Sequence, residues 1–145
     1  YASAAGRTEY DRVKVWTVVK AVEQKGIEKV LGTLTNRWFT DEFINRNPDI
    51  VERRLKQVMA TDPDIFMNVF RIYAGTEMMP WLHEVTHPAL IITGELDGGC
   101  NPRLNTLIGE AMSSSKLIVL KGLKHSILVE AGETVARHQI EFVHG

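Results

Sequence analysis

The sequence predicts an α/β chain in which a helical first part is followed by a strand-helix-strand-helix unit with parallel strands. Three observations carry this. Before residue 88 the apolar residues recur at helical spacing and the punctuation is that of helix ends. After Pro88, two short apolar runs, Ala89-Leu-Ile-Ile-Thr93 and Lys116-Leu-Ile-Val-Leu120, read as strands buried on both faces. Between them Asn101-Pro102 opens a helix running to about Met112, and strand, helix, strand is a crossover unit whose strands pair in parallel. The expected division is therefore a helical region over 1–87 and an α/β region over 88–145.

Taken in order, Thr8 or Asp11 can start a helix through Val13, Trp16, Val19 and Val22, with Gly26 as its stop. A second helix covers Ile27 to Trp38 and ends near Phe39-Thr40. Asn47-Pro48 supplies a cap followed by proline at the first helical position, where a missing N–H costs nothing; this helix carries Val51, Leu55, Val58 and Met59. Asp62-Pro63 repeats the signal for a helix with Ile65, Phe66, Val69, Phe70 and Tyr73 apolar, closed by Gly75. After the second strand a loop carries His125, and Glu133 to Val143 reads as the last helix.

Composition excludes several classes of function. The 145 residues are 44% hydrophobic and 24% charged, the balance of an ordinary soluble globular protein. With 17 Lys+Arg against 18 Asp+Glu, nothing draws the chain to nucleic acid or an anionic membrane. Arg53, Arg54 and Lys56 read as a solvated helix face. The single cysteine, Cys100, excludes an internal disulfide framework and a zinc site built on several thiolates, and fits a reducing, cytoplasmic setting. No apolar run reaches the length of a membrane span, and no signal-peptide pattern opens the chain.

Two parallel strands cannot cover their own faces and edges, since parallel sheets occur almost only inside larger covered sheets. The chain is therefore expected to be the C-terminal part of a larger fold, and its start at Tyr1 reads as a cut or a processed end. The sheet edge would be covered by the missing part, by a second chain, or by another copy in a homo-oligomer.

In an open parallel sheet, chemistry lies beyond the carboxyl ends of the strands. Those ends are Gly94-Glu95-Leu96-Asp97-Gly98-Gly99-Cys100 and Lys121-Gly122-Leu123-Lys124-His125-Ser126. Asp97 and His125 could meet there, the carboxylate orienting one ring nitrogen and leaving the other as general base. Equally, Asp97 could cap a turn and His125 be satisfied by backbone; spacing alone leaves both readings open.

At these residues the chain from Pro88 to Phe142 resembles the last third of an α/β-hydrolase: Pro-Ala-Leu-Ile-Ile-Thr-Gly-Glu-Leu-Asp, then Asn-Pro, a helix, Leu-Ile-Val-Leu, and Gly-Leu-Lys-His-Ser. Arg37-Trp38-Phe39-Thr40, with Phe43 following, is similar to a stretch of the cap of 3-oxoadipate enol-lactonase-like members. The resemblance implies a helical cap over the first half, Asp97 as triad acid and His125 as triad histidine. It further implies a small ester, lactone or related carbonyl substrate, cap residues Trp38 and Phe43 at the substrate, and no cofactor. Glu130 matches an acidic residue common after that histidine, in a structural role. The Gly-x-Ser-x-Gly elbow is absent, and Ser3, Ser113, Ser114, Ser115 and Ser126 sit in no strand-to-helix elbow. The chain thus offers an acid and a base without a nucleophile, and in subtilisin losing the nucleophile costs about six orders of magnitude in turnover. Acting alone it is not expected to be a competent hydrolase. The alternative is a non-catalytic binding or oligomerisation module that keeps the remnant of the fold.

Two other strings carry possible chemistry. His83-Glu84-Val85-Thr86-His87 spells the His-Glu-x-x-His of zinc peptidases, which needs both histidines one turn apart on a helix. Pro80 and Pro88 leave room for at most about two turns, so no metal is expected there. Ser113-Ser114-Ser115-Lys116 matches the Ser-x-x-Lys of penicillin-interacting enzymes, but joins a helix end to a strand and reads as a turn. Met78, Met79 and Trp81 are core or pocket residues.

Overall fold

A computed structural model describes residues 4–145. The helical part is entered through Thr8, which caps α1 (Glu9–Lys25) in a capping box. Its hydroxyl accepts from Asp11 N at 3.2 Å, while Thr8 N donates to Asp11 Oδ2 at 2.8 Å. Gly26, at φ +79°, ends α1 and begins α2 (Ile27–Trp38) without a loop. Thr40 caps the short α3 (Asp41–Arg46), an element the apolar spacing did not signal. The two X-Pro signals open α4 (Pro48–Met59) and α5 (Pro63–Gly75) as expected, and Asp62 accepts from Asp64 N and Ile65 N.

Helices α1, α2 and α5 close on Val19, Val22, Val30, Leu34, Met67 and Ala74, with Val15, Val18, Trp38, Phe66 and Phe70 packed around them. The buried face of α1 is thus rotated from the one its spacing suggested. Val19 and Val22 are inside, whereas Val13 and Trp16 stay exposed. Valines at 15, 18, 19 and 22 compete with the 13–16–19–22 series, and packing against α2 and α5 selects the former.

A 3-10 turn, Met79–Glu84, leads to β1 (Ala89–Gly94). Helix α6 (Pro102–Ala111), capped by Asn101, crosses to β2 (Ser115–Leu120). The strands are parallel and in register from Ala89↔Ser115 to Gly94↔Leu120, and they form the sheet of the described residues. Alternate residues face opposite layers. Ile91 packs with Leu82 and Ile108 under α6, whereas Ile92 and Ile118 pack with Leu120, Ile127 and Val135. Val135 lies on α8 (Gly132–His144), which follows the one-turn α7 (Ile127–Glu130).

The strands are less buried than two covered faces would make them. Leu90, Ile91 and Ile92 are only half-buried and Val119 is exposed. One helix per face is too little cover for a six-residue parallel pair. The His-Glu-x-x-His string is not helical as a metal site needs: the 3-10 turn ends at Glu84, His87 lies beyond it, and both histidines are exposed. Ser113 precedes β2 and Lys116 lies within it, so Ser-x-x-Lys opens no helix. No helix among the described residues is long and apolar enough to cross a membrane.

Candidate active site

The site is built where the two parallel strands end. β1 finishes in Thr93-Gly94, and the chain turns through Asp97, whose N–H returns to Gly94 O at 3.2 Å. The turn is pinned from beneath. Buried Thr93 donates its hydroxyl to Cys100 O at 2.6 Å, and Asn105 of α6 donates to the same carbonyl at 2.7 Å. Buried polar side chains are rarely without such partners, and here they fix the loop that carries the acid.

The second loop approaches β1 closely. Leu96 N donates to Leu123 O at 2.9 Å, and Gly122 N to Glu95 Oε2 at 2.9 Å. Any residue but glycine at 94 would obstruct this approach: a Cβ there would stand 2.2 Å from Lys124 O and 2.4 Å from Leu123 O. Gly94 therefore lets the histidine loop lie across the end of β1.

From this crossing, His125 Nδ1 donates to Asp97 Oδ2 at 2.7 Å. The other oxygen, Oδ1, accepts from Gly99 N at 2.8 Å and Cys100 N at 2.9 Å. The acid, 6% exposed, is thus held by three donors. Burial pushes its carboxyl up, but the His125 hydrogen bond and charge, with the two backbone N–H groups, outweigh this and hold it below the usual value. The Asp97 hydrogen bond, followed by one involving Cys100, pushes the His125 imidazole up to about 10 against the opposing effect of burial.

The histidine is also fastened to the helical part. Lys124 Nζ donates to Asn36 O at 2.9 Å and Ser126 N to Trp38 O at 2.8 Å. Four residues on, the Glu130 carboxylate accepts from Thr40 N at 2.9 Å and Thr40 Oγ1 at 2.6 Å. Glu130 ties α7 to the N-cap of α3 and does not approach the dyad partners through any of these bonds.

Beside Asp97 and His125 lies a cleft of about 760 Å³, walled by Met78, Trp81, Leu82, Ile92, Cys100 and Leu128 among others. Trp38 and Phe43 are not in that wall. Trp38 packs into the core of α1, α2 and α5, and Phe43 stacks on buried Phe39 with ring centroids 5.6 Å apart. The structure thus brings Asp97 and His125 together and leaves the two aromatics apart from them, because each ring finds an apolar partner within the helical part. Met78 and Trp81 line this cleft. Cys100 and Tyr73 also meet beside this site, a pairing with little signal in the sequence. Tyr73 Oη lies 3.9 Å from Cys100 Sγ, and buried Arg7 holds its guanidinium 4.2 Å over the tyrosine ring and donates to Tyr73 O at 2.9 Å. Burial, with the neighbouring Cys100, pushes the Tyr73 phenol up to about 12. Only the three-residue interval from Asp97 to Cys100 hinted at this cluster.

A helical part followed by a parallel strand-helix-strand-helix unit is the fold of the C-terminal part of an α/β hydrolase. No family model matches the chain. It is 27% identical over 90 residues to 3-oxoadipate enol-lactonase 1 of Acinetobacter baylyi, a match over 58% of this chain and 34% of that protein. Among solved structures, the enol-lactonase of Burkholderia xenovorans superposes with a TM-score of 0.85 at 17% identity, covering 99% of this chain and 54% of that one. A Pseudomonas aeruginosa hydrolase gives 0.83 at 20% identity, covering 99% and 53%. The chain spans about a third of the length of the curated relatives and about half that of the solved hydrolases.

Proposed function

We propose that the chain supplies the acid and base of a nucleophile–His–Asp triad in an α/β hydrolase acting on a small ester, lactone or related carbonyl compound. The observation that carries this is the 2.7 Å pairing of Asp97 with His125 across the ends of two adjacent parallel strands. Asp97 fixes the orientation of the ring through Nδ1 and stabilises the imidazolium. Nε2, the nitrogen Asp97 does not engage, takes the proton of the attacking hydroxyl and returns it to the leaving group. The enol-lactonase relatives and the hydrolase neighbours support the substrate class. The nucleophile comes from a further part of the hydrolase, whose strand continues the sheet beside β1 and covers the half-buried Leu90, Ile91 and Ile92. The helical region 1–87 then acts as the cap, and the assembled enzyme works in the cytoplasm.

A fluorophosphonate probe tests the reading on the protein isolated together with its companion segment. The label should fall on a serine outside these 145 residues, and His125→Ala should abolish it. A label on any serine of this chain, or labelling that persists in His125→Ala, would overturn the scheme. A protein that binds through β1 yet never reacts would favour the binding-module reading instead.

A further inference from the structure

Cys100 belongs to the cluster and influences His125 through a hydrogen bond, but the proposed hydrolysis assigns it no proton. It is buried, three residues beyond Asp97, immediately before the Asn101 cap of α6. Its Sγ, a carboxylate oxygen of Asp97 and a ring nitrogen of His125 all lie within 4.8 Å of one another. Among the described residues this is the one grouping of three metal-ligating side chains. The donor set is preorganised. Asp97 Oδ1 is occupied by the Gly99 and Cys100 N–H groups, so Oδ2 is the oxygen turned toward the imidazole. The carbonyl of Cys100 is locked by Thr93 and Asn105, which fixes the backbone from which the thiol projects.

We propose that Asp97, Cys100 and His125 form a site for one borderline-soft divalent cation, of which zinc is the representative. One thiolate sulfur, one imidazole nitrogen and one carboxylate oxygen suit zinc and disfavour magnesium and calcium, which take oxygen ligands. Zinc bonds of about 2.0–2.3 Å place tetrahedral ligands roughly 3.5 Å apart, so shifts of about 1 Å in side chains already this close complete the geometry. The proton shared between Asp97 and His125 and the proton of the thiol leave as the cation enters, so binding strengthens as pH rises. The binding itself is independent of the hydrolase reading. Its consequence rests on that reading: a cation held by both acid and base excludes triad chemistry, making the site inhibitory.

Cobalt(II) titration of the chain at mildly alkaline pH is the test. The expected result is a near-ultraviolet thiolate-to-cobalt charge-transfer band that saturates at one ion per chain and is displaced by zinc. Cys100→Ser should abolish the band and weaken zinc binding by more than the roughly 10- to 100-fold typical of losing an outer-shell partner. Replacing His83 and His87 together should change neither. Zinc should also protect the wild-type thiol from methyl methanethiosulfonate, a readout that needs no variant to fold. Absence of the band, zinc affinity unchanged in Cys100→Ser, or affinity lost with His83 and His87 would overturn the proposal. None of these results bears on fluorophosphonate labelling, so the two readings fail separately.

Discussion

Replacing Gly94 by alanine separates the acid from the base without touching either. The new Cβ would stand 2.2 Å from Lys124 O, and ordinary contact begins at 3.4 Å, so the loop must retreat by about 1.2 Å. Both atoms it meets first are backbone oxygens, with no flexible side chain to swing aside. His125 follows Lys124 directly, and its bond to Asp97 is 2.7 Å long. A retreat of that size carries the donor beyond hydrogen-bonding range. Overpacking of this kind costs about 1–3 kcal/mol, and losing a hydrogen bond to a charged group adds about 1.5–3 kcal/mol. Gly94→Ala should therefore lower stability by about 3 kcal/mol or more in urea unfolding, with the slope unchanged. In proton NMR the His125 ring should then titrate well below its value of about 10, toward the ordinary 6.5. Stability within about 0.5 kcal/mol of the parent, with an unchanged His125 titration, would refute the argument that glycine makes this crossing possible.

Three further predictions concern the site and its attachment. His125 is raised from 6.5 to about 10 in the folded chain, so its contribution to stability is complete below about 6.5 and fades as pH rises through about 10. Asp97 is lowered from 3.8, so its contribution is present above that value and is lost as pH falls through the depressed one. The pair thus stabilises between these limits. Asp97→Asn should flatten both flanks of the unfolding profile, and a profile unchanged by Asp97→Asn would contradict the pairing. If the proposed function holds, the same titration should make fluorophosphonate labelling climb with pH as His125 becomes neutral, and labelling flat across that range would count against it. Thr40→Ala removes both the N-cap of α3 and the hydroxyl that donates to Glu130 at 2.6 Å. A destabilisation of about 2 kcal/mol is expected by thermal or urea melting. A loss below about 0.5 kcal/mol would show that the tie contributes little.

The sequence disclosed the site better than its surroundings. Asp97 and His125 were legible because strand ends in a parallel pair converge on one edge, a rule that needs only the two apolar runs and the helix between them. The Pro-opened helices were legible for local reasons, since Asn47-Pro48 and Asp62-Pro63 act on their own backbone. What stayed hidden depends on pairs distant along the chain. Helix α3 is capped locally by Thr40, but the same threonine is held by Glu130, ninety residues away. The buried face of α1 could not be chosen while two valine series fitted one helix, and the choice falls to contacts with α5. Trp38 packs into the core of α1, α2 and α5 and Phe43 stacks on Phe39, contacts set by residues distant along the chain or by ring geometry that spacing does not reveal. Gly94 looked like the end of a strand; its necessity appears only when the backbone of residues 123–124 is placed beside it.

The attachments around His125 give the dyad a second meaning. Asp97 takes its position from β1 and α6, through Thr93 and Asn105. His125 takes much of its position from the end of α2, through Asn36 and Trp38 on either side of it and Thr40 just beyond. Asp97 is held by the sheet and α6, whereas His125 is held twice, by the crossing at the end of β1 and by the end of α2. A displacement of α2 would therefore reach the histidine loop directly, and Asp97 only through it.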